Sequence, residues 1–303
     1  MSAPAVTTSS AYKTLKATLE SIVTDSTDGI ENDLVCTQYM KSSTMADNYV
    51  DDLENGGPGL ASETLEGSAL TVASLFEGAQ TRYIARKFGL IMQITEELDE
   101  DGKYNDKYLN LARRNKRAIY KTLEIDCANV INRAATAGYV GGDGLTLASA
   151  SHTIPGGGTF SNTLSTAMAP ARAALIIVRN NLKKLPGHDG VTEGYKIVSL
   201  VHPTEQWGAW AGILGSDKVP ESNNNELNVV KGMRIKQVEV QYMTSTTNWG
   251  VTTDAMDGLK LMWRRKPKAR TWYDENTEII NYGTSARWAR GWTDPRGFYF
   301  SNA

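Results

Sequence analysis

The chain has 303 residues, 41% hydrophobic and 22% charged, with a formal net charge of −2. That balance is too apolar for disorder, no run approaches the ~20 apolar residues of a transmembrane helix, and no global basic field draws the chain to nucleic acid or anionic lipid. Its two cysteines, Cys36 and Cys127, are far apart and outside any CxxC, which excludes a disulfide scaffold or zinc ribbon and suits a reducing compartment.

The first sixty residues read as a mostly polar arm. It holds one modest helix, in which Leu15, Leu19 and Ile22 recur at spacings of four and three. The segment "MSAPAVTTSSAYKTLKATLESIV" lacks the basic leader and unbroken apolar stretch of a signal peptide, so synthesis in the cytoplasm is expected. "ENGGPGLASETLEGS" (54–68) reads as a loop or hinge. Residues 69–98, rich in Thr, Val, Ile, Tyr and Phe, predict two or three strands with a hairpin turn near Glu77 to Ala79.

After the acidic turn "EELDED" (96–101), residues 105–136 carry the strongest helical pattern. Tyr108, Ala112, Ile119, Leu123, Cys127, Val130 and Ala134 fall three, four or seven apart, on one stripe of a helix. The acidic turn lacks the spacing of a calcium loop and reads as a solvated, dipole-stabilised helix start. "GGDGLTLASASHTIPGGG" (141–158) follows as an irregular connection. A second helix is expected from an N-cap at Ser165 to Leu185, a strand at 195–201, a helix with Pro203 in its first turn, and then a β-rich ending.

The candidate chemistry is thin. No GxxxxGK[ST] occurs to cradle phosphate. Ser149, Ser151 and His152 lack the GxSxG elbow of a serine nucleophile and read as turn residues satisfying local backbone. His152, His188 and His202 show no metal-ligand spacing, so neither a metal nor a cofactor is expected. The basic clusters "RRNKR" (113–117) and "WRRKPKAR" (263–270) suit pairing within or between chains, or contact with phosphates.

Taken in order, arm, β-hairpin, long helix and mixed α/β body resemble the major capsid proteins of tailed bacteriophages. "GLIMQITEELDEDGKYND" (89–106) is similar to the family's strand, acidic turn and spine-helix start. "VGGDGLTLASASHTIPGGGTFSNTLS" (140–165) resembles its GDGxxLFSxxHP segment, with Ala148 in place of the aromatic and Thr153 and Ile154 separating His152 from Pro155. "NNNELNVVKG" (223–232) and "ARWARGWTDPRGFYFSNA" (286–303) resemble two later family segments.

The resemblance implies an α+β fold in four parts: an N-terminal arm (1–60), an extended β-hairpin loop (61–92), a peripheral domain with the spine helix (93–192 and 259–303), and an axial domain (193–258). It implies a shell built from pentamers and hexamers of this chain around double-stranded DNA, located in the virion and assembled in the host cytoplasm. Portal, scaffolding or decoration proteins would be further partners; no membrane is involved. Expected intersubunit contacts are Phe76, Arg82, Tyr83, Arg86 and Lys87, since a lone hairpin is marginal in water and needs a surface to lie on. Asp217, Lys218 and Glu221 are expected in an axis-facing loop, and Arg113, Arg114 and Arg117 as charged contacts. A nanocompartment shell of encapsulin type and a soluble hydrolase using Ser151 and His152 are the competing readings.

Overall fold

The computed structural model describes residues 33–70, 75–97, 105–218 and 226–302, together with Ser21 and Val72. The helix expected around Leu15, Leu19 and Ile22, most of the acidic turn, and Glu221 lie outside those residues.

The helical stripe becomes α2 (Asn105–Asn132), which follows a short α1 (Cys36–Tyr39). At 1.5 Å per residue α2 is about 42 Å long. Ala112, Ile119, Leu123, Cys127 and Val130 are buried on one face, while Arg113, Arg114 and Arg117 are exposed on the other. The helix ends four residues earlier than expected because the chain tightens into turns: the Ala134 N–H donates to Ile131 and that of Thr136 to Arg133.

Beneath α2 lies a four-stranded sheet in the order β1 (Lys41–Thr44), β10 (Leu259–Asp274), β11 (Ile279–Trp292), β4 (Arg86–Thr95). Period-two alternation makes β11 a central strand: Ile280, Tyr282, Thr284, Ala286 and Trp288 are all buried. Leu123, Cys127 and Ile131 of α2 share one core with Ala286, Trp288 and Leu261. Asp126 of α2 also accepts from Trp288 Nε1 (3.0 Å) and Arg290 Nη2 (2.7 Å), which fixes the helix along the sheet.

A second sheet runs β12 (Phe298–Ser301), β9 (Trp249–Thr253), β7 (Ile197–His202), β8 (Lys236–Glu239). Its core includes Leu175, Val178 and Leu182 of α3 (Arg172–Lys184) and Trp210 of α4 (Trp207–Gly215). The expected boundary between 193–258 and 259–303 runs through this sheet, since β12 pairs with β9. α3 starts at Arg172, with Ala171 as N-cap, and not at Ser165. Pro170 explains the difference, because it drives the residue before it out of the helical region.

The largest correction concerns the hairpin. No turn occurs at Glu77 to Ala79; those residues lie inside β3 (Leu75–Ile84), whose partner is β2 (Tyr49–Pro58). β4 begins two residues after β3 ends, yet pairs with β11. The first third of the expected hinge, 54–58, is therefore strand. Register shifts between Leu53 and Asn55 and between Asn55 and Pro58 let the sequence Asn-Gly-Gly-Pro sit in a two-stranded ladder, where an edge strand tolerates a missing donor.

Candidate assembly surfaces and a buried charge cluster

The glycine-rich stretch joins the end of α2 to the base of the ladder. A Cβ on Gly142 would lie 2.5 Å from the Gln80 carbonyl oxygen, so only glycine lets this backbone lie against β3. His152 opens β5 (His152–Thr153), which pairs with β6 (Thr159–Phe160), and is fully buried. Its Nδ1 lies 2.6 Å from Asp143 Oδ2 and its Nε2 faces the Leu147 carbonyl at 3.3 Å. Burial works against the Asp143 carboxylate, but the hydrogen bond from His152 and the Leu145 N–H hold it below its usual range. Both ring nitrogens thus face oxygens within the loop and neither is directed at a serine. Ser149 Oγ instead accepts the Ser151 N–H (3.3 Å), and Asn162 Oδ1 accepts the Ser149 N–H (2.9 Å). The dyad is a brace for irregular backbone, with no nucleophile attached.

A second histidine converges with carboxylates from distant parts of the chain, a grouping its spacing in the sequence does not show. Glu54 of β2, His188 in the turn after α3, and Asp294 before β12 present ligand atoms within 4.8 Å of one another. The centre of that group is occupied by the chain's own cation. Arg296 Nη1 lies 2.7 Å from Glu54 Oε1 and 3.2 Å from Asp294 Oδ1, and its guanidinium stacks 4.3 Å over the Phe160 ring. His188 Nε2 lies 2.7 Å from the same Glu54 oxygen. With a guanidinium in place, the donor set fits an internal ion network and leaves no room for a metal ion.

These groups perturb one another. The bond to Glu54 raises the His188 imidazole above its ordinary value against the effect of burial. Burial pushes against ionisation of Glu54, yet the bond from His188 and the charge of Arg296 hold it low. Asp294 is pushed up by burial, which the Arg296 charge does not fully offset. Gly78 serves the same cluster: a Cβ there would lie 2.6 Å from Glu54 Oε2, so the glycine read as a turn is the gap through which the Glu54 side chain passes. Residues separated by 134 and 242 positions meet here, and local pattern gives no sign of it.

The expected contact residues divide. Tyr83 is 3% exposed, packs with Met45, Ala85, Met262 and Ala289, and shares a 2.8 Å hydrogen bond with Thr293. It is a core residue, and its place among intersubunit contacts is corrected accordingly. Arg82 remains on the surface but forms a fork with Asp51 (2.6 and 2.8 Å) and lies over the Tyr49 ring. Arg86 and Lys87 are exposed, and the Phe76 side chain is outside the described residues. In the loop expected to face an axis, Asp217 pairs with Lys231, and Lys218 bridges to Leu227. The more conspicuous surface is the ladder's connecting segment: Leu60, Leu65, Leu70 and Val72 are 76–94% exposed.

These features define a structural subunit: a mixed α/β body braced by buried ion pairs, carrying a two-stranded ladder with an apolar, solvent-facing end. The family model described as phage capsid protein matches residues 78–301, and the chain belongs to that family of non-enzymatic shell proteins. Among solved structures, the capsid of the cyanophage P-SCSP1u is similar at 12% identity and TM-score 0.54, covering 86% of this chain and 85% of that one. A virus-like particle from Pyrococcus furiosus is similar at 8% identity and TM-score 0.53, covering 94% and 98%. The capsid of an empty GTA particle is similar at 12% identity and TM-score 0.51, covering 88% of each chain. At these identities the likeness is one of fold. No curated protein matches the chain by sequence. Among the described residues no helix is long and apolar enough to cross a membrane.

Proposed function

We propose that this capsid protein is the major head protein of a tailed phage, assembling with itself as pentamers and hexamers into an icosahedral shell around double-stranded DNA. The observation that carries the reading is the end of the β2–β3 ladder. Four large apolar side chains within thirteen residues stand almost wholly in water on a two-stranded element, an arrangement that gains stability when another copy covers it. Contacts of this head-to-tail kind close into rings, and many weak contacts per subunit make a closed shell durable.

In this reading 1–60 is the arm, 61–92 the extended loop, 93–192 with 259–303 the peripheral domain and 193–258 the axial domain, and the loop's β3 pairs back onto β2 (Tyr49–Pro58) at the end of the arm. The virion is the location, after assembly in the host cytoplasm. A portal, scaffolding or decoration proteins and the packaged DNA are the outside partners, with Arg113, Arg114 and Arg117 exposed for charged contacts. A nanocompartment shell is the second reading, favoured by the near-complete overlap in length with the Pyrococcus particle.

The full chain expressed alone is expected to give shells of uniform diameter in electron micrographs. Leu65→Asp with Leu70→Asp is expected to leave the circular dichroism spectrum unchanged and abolish those shells; normal shells from that variant would remove the ladder end as a contact. Nuclease-protected double-stranded DNA inside native particles supports the phage head, whereas an enzyme cargo captured through a peptide supports the nanocompartment.

A further inference from the structure

We propose that Glu54, His188, Asp294 and Arg296 form a pH-gated latch that holds the base of the β2–β3 ladder against the body of the same chain. All four side chains belong to one subunit, so the latch stands apart from the shell reading.

The geometry ties three separate pieces of chain. Glu54 comes from β2, His188 from the turn between α3 and β7, and Asp294 and Arg296 from the turn before β12. The His188 turn is itself tight: Pro186 bridges to Thr192, and the Gly187 N–H donates to the Val191 carbonyl at 2.6 Å. Its main chain is also held, since the His188 carbonyl accepts the Gly156 N–H at 2.9 Å and a Cβ on Gly156 would collide with it. Arg296 donates onward to the Pro186 carbonyl (2.9 Å). The turn and the body are therefore one unit, and Glu54 attaches the ladder to it, beside the separate contacts of Asp52 with Lys260 and Thr293 and of Tyr83 with Thr293.

The charges balance when the cluster holds one titratable proton, on the His188 imidazole or on the Asp294 carboxyl. Two carboxylates, one guanidinium and one imidazolium sum to zero; once that proton is lost the buried group carries one uncompensated negative charge, which a water-poor site penalises. Among the described residues the neighbours supply no replacement cation. Glu77 of β3 and Asp143 of the glycine-rich stretch line the small cavity beside Glu54, Asp189 lies on the same turn, and Tyr195, with Glu193 next to its hydroxyl, feels both Asp294 and Arg296. Asp143 is already paired with His152.

The sign follows from linkage. His188 is raised above the ordinary imidazole value, so its contribution is complete below that value and is lost as pH rises through the raised one. Asp294, raised by burial, acts in the same direction. Glu54 is lowered, so its contribution disappears only in acid. The protons are shared by the cluster, and the latch is closed in a window bounded by Glu54 below and by His188 with Asp294 above.

Hydrogen exchange of the full-length chain, read by mass spectrometry and corrected for the intrinsic effect of pH, tests this from about pH 6 to about pH 9. Exchange in peptides covering 49–58 and 75–84 is expected to rise by up to about tenfold per pH unit once the cluster loses its proton, while α3 stays protected. Asp294→Asn retains the oxygen that caps the Arg296 N–H (2.8 Å) and removes the excess negative charge. It is expected to keep the ladder protected across the range. His188→Gln is expected to leave the ladder exposed at every pH of the series, and adding Asp294→Asn to it to restore protection. A wild-type ladder whose exchange does not change with pH, or a rise that Asp294→Asn leaves intact, overturns the latch; because the wild type and Asp294→Asn alone decide it, misfolding of His188→Gln does not blur the result.

Discussion

Arg296→Met is the most severe single change the structure predicts away from the hydrophobic cores. The Arg296 side chain is wholly buried and bonded to two carboxylates and to the Pro186 carbonyl. Methionine preserves the length of the stem and its contact with Phe160 but leaves Glu54 and Asp294 with only the His188 imidazole to offset two carboxylates. Removing one partner of a buried pair costs about 3–5 kcal/mol, because the charge left behind is uncompensated and out of water. Against a total stability of roughly 5–15 kcal/mol, that is a large fraction. Urea unfolding of the full-length chain, followed by tryptophan fluorescence, measures it. Glu54→Leu placed on top of Arg296→Met is expected to recover part of the loss, since it removes one of the two orphaned carboxylates. A loss below about 1 kcal/mol for Arg296→Met, of the size ordinary for a surface ion pair, would refute the picture of a dry, charge-balanced cluster. The internal control is Arg82→Met. It breaks an arginine–carboxylate pair of similar length on an open surface and is expected to leave the midpoint where it was.

Two further outcomes follow from the same region. Gly142→Ala puts a methyl group 2.5 Å from the Gln80 carbonyl oxygen and 2.8 Å from Thr81 Oγ1, both on β3; it is expected to lower the thermal midpoint and raise exchange in β3 more than in β11, and an unchanged β3 would mean the stretch is not held against the ladder. In acid, the depressed Glu54 and Asp143 carboxyls contribute stability that is present above the usual carboxylate range and is lost as pH falls through their folded values. A pH series of urea midpoints is therefore expected to fall in acid and to fall less in Asp143→Asn, and identical acid limbs in the two chains would exclude the His152–Asp143 brace as a contributor.

The parts of the fold legible in the sequence are those whose pattern and partner are both local or repetitive. The α2 stripe is visible because 3.6-residue spacing is written into Ile119, Leu123 and Cys127 whatever the helix packs on. β11 is visible in the alternation from Ile280 to Trp288 for the same reason. The ladder is misread because its pairing is not written in either strand. β3 and β4 are adjacent and both strand-like, so a turn between them is the economical choice, but β3 pairs backwards with a segment whose Asn-Gly-Gly-Pro composition signals a loop. The bulges that make this possible depend on the partner. Ser165 fails as an N-cap for a simpler reason, since Pro170 five residues later overrules it. Tyr83 is misplaced because its exposure was judged from a hairpin that does not exist; once β3 lies on β2 and beside β11, that face of the strand is interior.

The same distinction explains why the stretch at 141–158 looks like chemistry. A buried histidine beside an aspartate, flanked by glycines and serines, is how an enzyme holds a base, but it is also how a chain secures backbone that no helix or sheet will satisfy. Irregular connections bury N–H and C=O groups that must find partners, and Asn162, His152 and Asp143 supply them here to Leu147, Ser149 and Leu145. What the imidazole nitrogens face decides between the two uses. In His152 the second nitrogen faces the Leu147 carbonyl, and in His188 the nitrogen that meets Glu54 lies beside a guanidinium. His188 therefore holds the ladder through Glu54, His152 holds the loop that lies against β3, and the ladder's apolar residues remain at its far end. An arrangement with apolar contacts at the base and polar residues at the end would hold the ladder equally well, but it would leave a second copy nothing to bury.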